Sequence, residues 1–153
     1  MAFPYLIELP KIIDARGNLS VVENCKEIPF DIRRVYWLYE VPTGELRGGH
    51  AHTDLEQVLI ALHGDFTIIV DDGNTHQTFR LNRPNQGLYI SSNIWREMSD
   101  FSEGAVCLVL ASKPYDPTGY IRNYDEFRRG VLHTSNQQLY PIKQGVCNTP
   151  QQL

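Results

Sequence analysis

The sequence predicts an all-β domain, an antiparallel sandwich or barrel with one short helix near its C-terminus. Three observations carry this. Runs of β-branched, aromatic and aliphatic residues recur about every ten residues. No helical periodicity intervenes between them. Eleven Gly and nine Pro are spread along the chain, as turns between many short strands require.

The elements follow in order. Tyr5 to Leu9 is an apolar strand that stops at Pro10. Ile12-Ile13-Asp14, the turn signal Arg16-Gly17-Asn18, and Leu19 to Glu23 predict a hairpin. Arg34 to Tyr39 is rich in aromatic residues and ends at Pro42-Thr43-Gly44. Gln57–Leu62 and Phe66–Val70 flank the turn His63-Gly64-Asp65. Asp71-Asp72-Gly73-Asn74 is the strongest turn signal in the chain, and a strand follows it from His76 to Leu81. Gly87–Ile90, Trp95–Met98 and Val106–Ala111 complete the set. The helical candidate is Tyr124–Arg129. The domain is expected over residues 1–132, with a polar tail over 133–153 that is loosely packed or rests on a neighbour.

Composition narrows the function. At 153 residues the chain has room for one domain with a real core. Its net charge of -4 excludes a generally basic nucleic-acid binder, though not a local basic pocket. No apolar run approaches the roughly 18 residues of a membrane span. Pro4, Glu8 and Pro10 come too early for a signal peptide. Cys25, Cys107 and Cys147 are few and widely spaced, which predicts reduced thiols in a cytoplasmic protein. Cys107, within Val106–Leu110, reads as a core filler.

The informative stretch is Gly44 to Gly64. Residues i and i+2 of a strand face the same way, so His50 and His52 project together. Gly48 and Gly49 remove side chains beside them, letting backbone or ligand come close. Gly44, His50-Ala51-His52, Glu56 and a Gly one position late at 64 resemble the first motif of the cupin superfamily. That resemblance implies a double-stranded β-helix, a small jelly-roll barrel. In metal-binding cupins the two His and the Glu are ligands, and a third His follows in a second motif. Here no His lies between Gly87 and Met98, and Arg96 stands there instead. A guanidinium is always protonated and cannot be a ligand, so no metal and no cofactor are expected.

A narrower resemblance covers residues from about 5 to 130. It rests on Asp14-x-Arg16-Gly17-x-Leu19, Arg34-Val35-Tyr36, Arg47–His52 and Leu55–Leu59. It continues through Asp71-Asp72-Gly73, Gly87-Leu88-Tyr89, Trp95-x-Glu97-Met98 and Tyr120-Ile121-Arg122-x-Tyr124. Together these motifs resemble the WxcM-like (FdtA/QdtA-type) sugar 3,4-ketoisomerases. The resemblance implies a metal-free, homodimeric isomerase. It would move the keto group of dTDP-4-keto-6-deoxy-glucose from C4 to C3, feeding 3-amino-3,6-dideoxy sugars of surface polysaccharides.

That reaction is proton transfer. It needs a group that titrates near neutrality, a donor for the developing oxyanion, and cations for a diphosphate. His50 is the expected general base. His52 orients the sugar or relays a proton. Tyr36 is a candidate acid, or else a core or interface tyrosine. Arg16, Arg47 and Arg96 are the expected anion contacts, and Glu56 is a buried partner for His52 or an arginine. His63 and His76 are expected at the surface. Strand Tyr36–Tyr39 offers a face for stacking thymine or for core packing. The N-terminal strand is expected to add to a partner's sheet. A 3,5-epimerase, a metal-dependent cupin and a non-catalytic sugar-binding module are the competing readings.

Overall fold

In the computed structural model, which describes residues 3–135, the strands build two five-stranded antiparallel sheets. They are β1 (Tyr5–Glu8), β2 (Arg34–Leu38), β3 (Arg47–His52), β4 (Gln57–His63) and β5 (Phe66–Asp71). Then come β6 (His76–Leu81), β7 (Gln86–Ile90), β8 (Trp95–Ser99), β9 (Val106–Ala111) and β10 (Tyr120–Ile121). One sheet has the order β1-β7-β4-β9-β2, the other β10-β3-β8-β5-β6. This is the expected jelly-roll barrel with a C-terminal helix, α1 (Tyr124–Ser135).

Burial explains the sequence pattern. In β4, Val58 and Ile60 face one way and Leu59 and Ala61 the other, and all four are buried. A central strand covered on both faces reads as a continuous apolar run. Leu59, Phe66, Ile68, Leu88 and Val109 pack between the sheets. Val58 and Ile60 instead meet Leu9, Ile28 and Phe30, because residues between β1 and β2 cover the outer face of the first sheet. The expected hairpin at 12–23 is reduced there to one bridge, Ile12 to Leu19, since its apolar residues find too little surface to cover.

Helix α1 covers the outer face of the second sheet. Asn123 accepts a hydrogen bond from the Glu126 backbone at 3.0 Å and so caps the N-terminus. Phe127 is fully buried beside Ala51 and Trp95, a contribution of about 2–3 kcal/mol. Val131, one turn on, packs against the same cluster. The helix therefore runs through Gly130 to Ser135 instead of ending at Arg129. The rest of the predicted tail, from 136 onward, lies outside the described residues.

Strand β1 pairs with β7 of its own chain, Tyr5 opposite Tyr89, and forms the edge of the first sheet. One expectation is corrected. Cys25, expected as a reduced thiol, is disulfide-bonded; it sits half-buried in a turn. Cys107 is the buried free thiol expected, pushed up to about 12 by desolvation and so inert. No helix among the described residues is long and apolar enough to cross a membrane.

Candidate active site

The barrel opens at one end into a cavity of about 680 Å³, within the size range of small-molecule sites. β2, β3, β4, β8 and the β10 region all contribute to its wall. Strand parity on β2 turns Arg34, Tyr36 and Leu38 inward. Trp37 and Tyr39 face outward at 57% and 58% exposure, so they offer no face to a ligand in the cavity.

β3 and β8 bring the central pair together. His50 lies directly opposite Arg96 in the antiparallel register, after a bulge at Gly48 and Gly49. Both glycines have positive φ. A Cβ on Gly48 would stand 2.7 Å from the Arg96 carbonyl oxygen, so no larger residue fits the bulge unchanged. His50 and His52 face each other with their Nε2 atoms 3.1 Å apart. Tyr120, opposite His52 on β10, packs against both rings at centroid distances of 5.0 and 4.3 Å.

Electrostatics keep both imidazoles neutral. Burial, and then the Arg96 charge, push His50 down to about 4 and His52 down to about 2. Arg96 is 2% exposed. Burial lowers its pKa to about 10, which still leaves it cationic at neutral pH. Its Nη1 donates to Gln57 Oε1 at 2.7 Å and its Nη2 to the Ile94 carbonyl at 2.8 Å, while Nε is buried without a partner. A buried guanidinium with only neutral acceptors is costly unless an anion arrives.

Tyr36 completes the arrangement. Its hydroxyl oxygen accepts from Gln57 Nε2 at 2.9 Å. Burial raises its pKa, so it enters any reaction as a neutral phenol. The Arg34 guanidinium sits over the Tyr36 ring at 5.1 Å and the Tyr115 ring at 5.4 Å. Arg122 sits over Tyr120 at 4.4 Å. Arg34, Arg47, Arg96 and Arg122 all line the cavity, and among the described residues no Asp or Glu does. None of these four takes part in an ion pair among the described residues. A chain of net charge -4 thus concentrates cationic charge in one concavity, as an anionic ligand requires.

Of the expected site residues, His50, His52, Tyr36, Arg47 and Arg96 converge here. Arg16 does not line the cavity in this chain; its side chain is 89% exposed and paired with Asp14 at 2.9 Å. Glu56 partners neither His52 nor an arginine. It points to the outer face, where Tyr89 donates to it at 2.6 Å. Gln57, one residue later, takes the inward position. The sequence carried a signal for this: a Gly64 one position late for Glu56 is on time for Gln57. Arg34, Tyr115, Tyr120 and Arg122 were also missed. Arg34 was legible from its shared parity with Tyr36; the other three come from loops and a two-residue strand. His63 and His76 lie at the surface as expected.

The donor set does not fit a divalent metal. The carboxylate that the cupin motif would supply is turned outward, an amide stands in its place, and the Arg96 charge opposes a cation beside His50.

The chain matches the family described as WxcM-like, C-terminal (FdtA) over residues 4–131. It is 49% identical over 126 residues to a TDP-4-oxo-6-deoxy-alpha-D-glucose-3,4-oxoisomerase of Aneurinibacillus thermoaerophilus, covering 82% of this chain and 91% of that protein. The structure of the WlaRB TDP-quinovose 3,4-ketoisomerase of Campylobacter jejuni is similar with a TM-score of 0.81 and 50% identity, covering 84% of this chain and 99% of that one. QdtA, a sugar 3,4-ketoisomerase of Thermoanaerobacterium thermosaccharolyticum in complex with TDP, gives a TM-score of 0.84 at 44% identity, covering 86% and 96%.

Proposed function

The chain belongs to the WxcM-like, FdtA-type family, and from that premise we propose that it is a TDP-4-keto-6-deoxyglucose 3,4-ketoisomerase working by proton transfer through an enediolate. The observation that supports this most is the cross-strand pair of His50 and Arg96. A neutral imidazole, able to take a proton from carbon, lies beside a buried cation, able to stabilise the oxyanion that results.

In this reading His50 takes the C3 proton and returns one to C4. Arg96 stabilises the enediolate. Tyr36 serves the oxygens, and His52 holds His50 through their facing nitrogens. Arg47, with Arg34 and Arg122, attracts the diphosphate. Arg16 belongs to the anion contacts only through the family resemblance. The 3-keto product is suited to transamination, which places the enzyme ahead of 3-amino-3,6-dideoxy sugars. Among the described residues no Asp lines the cavity to pair with His50, which disfavours a 3,5-epimerase.

The test is incubation with TDP-4-keto-6-deoxyglucose in deuterium oxide, followed by NMR. The expected product is a 3-keto sugar with deuterium at C4, formed equally after chelation. No conversion by folded protein overturns the proposal. Deuterium at C5 with the keto group unmoved assigns an epimerase.

The reading includes a homodimer. The outer face of edge strand β2 supports it, since Val35, Trp37 and Tyr39 are all exposed there. Light scattering is expected to give twice the chain mass, and a monomeric mass would refute this part.

A further inference from the structure

Gln57 is 2% exposed, and its two amide atoms have different partners. Oε1 accepts from Arg96 Nη1 at 2.7 Å, and Nε2 donates to the Tyr36 hydroxyl oxygen at 2.9 Å. A guanidinium has donors only, so the amide has one allowed orientation, carbonyl to Arg96 and NH2 to the phenol. The phenol oxygen therefore cannot direct its own hydrogen at Gln57. That hydrogen is left for the cavity that Tyr36 lines.

Resting on the ketoisomerase reading, we infer that Gln57 is a positioning residue that makes Tyr36 the proton donor to substrate oxygen. It holds the phenol hydrogen toward the sugar. It also passes the Arg96 charge to the phenol oxygen, because an amide polarised at its carbonyl is a stronger donor at its nitrogen. The phenolate left after proton transfer is stabilised by that donor.

The protons balance. His50 takes the C3 hydrogen as a proton, and the C–H electron pair becomes the C3=C4 double bond. The C4 carbonyl π pair moves to O4, which takes the Tyr36 proton. In the second half the phenolate takes the O3 proton. The O3–H electron pair forms the C3 carbonyl, and the C3=C4 pair takes the proton from His50 at C4. The net change moves one hydrogen from C3 to C4 and one from O3 to O4. Both side chains return to their starting states, and no oxidant is needed.

This explains why an amide is required at position 57. A carboxylate of the same shape would pair with Arg96 and cancel its charge. It would also accept the Tyr36 hydrogen and turn the donor away from the cavity.

The test uses the full chain with Tyr36→Phe, Gln57→Glu and the double variant, reading TDP affinity and turnover. Each single variant is expected to lose about 10²–10³-fold in turnover, the range for a lost acid–base group. The double variant is expected to be no slower than the slower single, and TDP affinity to stay within about threefold throughout, as a shared role demands. Gln57→Met, which keeps volume and removes both hydrogen bonds, is the second probe if Gln57→Glu does not fold; it is expected to show the same non-additivity with Tyr36→Phe. Gln57→Glu turning over within about threefold of the parent overturns the inference. So do losses that multiply in a double variant, as independent or merely structural damage would. Parent protein that fails to convert TDP-4-keto-6-deoxyglucose overturns the function itself, a distinct result.

Discussion

His50→Asn is expected to lower turnover about 10³-fold while TDP binds as tightly as before. A lost general base costs roughly 10²–10⁴-fold. Asparagine keeps a polar group of similar reach but cannot accept a proton at ordinary pH. In the proposed reading the nucleotide is held by other groups, since the guanidinium groups of Arg34, Arg47 and Arg122 line the same cavity. Calorimetry with TDP and NMR-monitored turnover check the two halves separately. Turnover within about tenfold of the parent would remove His50 from the base role.

The pH dependence follows from the same group. His50 is held at about 4 by burial and by the Arg96 charge. It is therefore neutral at pH 7 and stays so on mild acidification. The acid limb of kcat/KM is expected near pH 4, not near the ordinary histidine value of roughly 6.5. The stability consequence has a definite sign. Between about 6.5 and about 4 the unfolded chain binds a proton at His50 that the folded chain does not. Stability therefore falls as pH falls through that window. His52, held down to about 2, extends the loss further into acid. His50→Asn removes its share, so its melting temperature should depend less on pH.

Arg96→Met is expected to act in opposite directions on activity and stability. Turnover should fall about 10²–10³-fold, the cost of removing one oxyanion stabiliser. The melting temperature should rise by roughly 2–6 °C. Arg96 is a buried cation whose side-chain partners are an amide and a carbonyl, with Nε unpaired. Replacing a buried charge by an apolar side chain of similar volume is often stabilising by about 1–4 kcal/mol. For a domain of this size each kcal/mol is worth about 2–4 °C. Leaving Gln57 Oε1 and the Ile94 carbonyl without their donor takes back part of that gain. Thermal denaturation and steady-state kinetics on one preparation test both. A raised KM with turnover intact would make Arg96 a grip on the diphosphate, and a lowered melting temperature would mean its charge is compensated in the fold.

Much of this was legible in the sequence because strands announce themselves locally. Strand-forming runs between turn signals located β2 and β4 to β9, and the histidine motif located β3. The His50/His52 pair and the inward set of Arg34, Tyr36 and Leu38 both follow from the two-residue period of a strand. The failures have a common cause. The hairpin at 12–23 carried a good turn, but a turn cannot hold two strands that lack a surface to cover. Helix α1 was cut short at Gly130 because a glycine lowers local propensity by about 1 kcal/mol, whereas burial of Phe127 against Trp95 outweighs it. Glu56 looked like a partner for His52, yet it and Gln57 necessarily face opposite ways, and the core decided which went inward.

Sequence alone determined the fold class, the family resemblance and the shared face of His50 and His52, since period, turn chemistry and motif spacing are properties of neighbouring residues. The rest of the site needed three dimensions. Register between β3 and β8 put Arg96 opposite His50. Closure of the barrel brought Gln57 between Arg96 and Tyr36 across three different strands. Loop paths delivered Tyr115 and Arg122 from distant segments. A residue's own strand tells which face it takes; which other face it meets, and whether its charge meets water or protein, is decided only when the sheets pack.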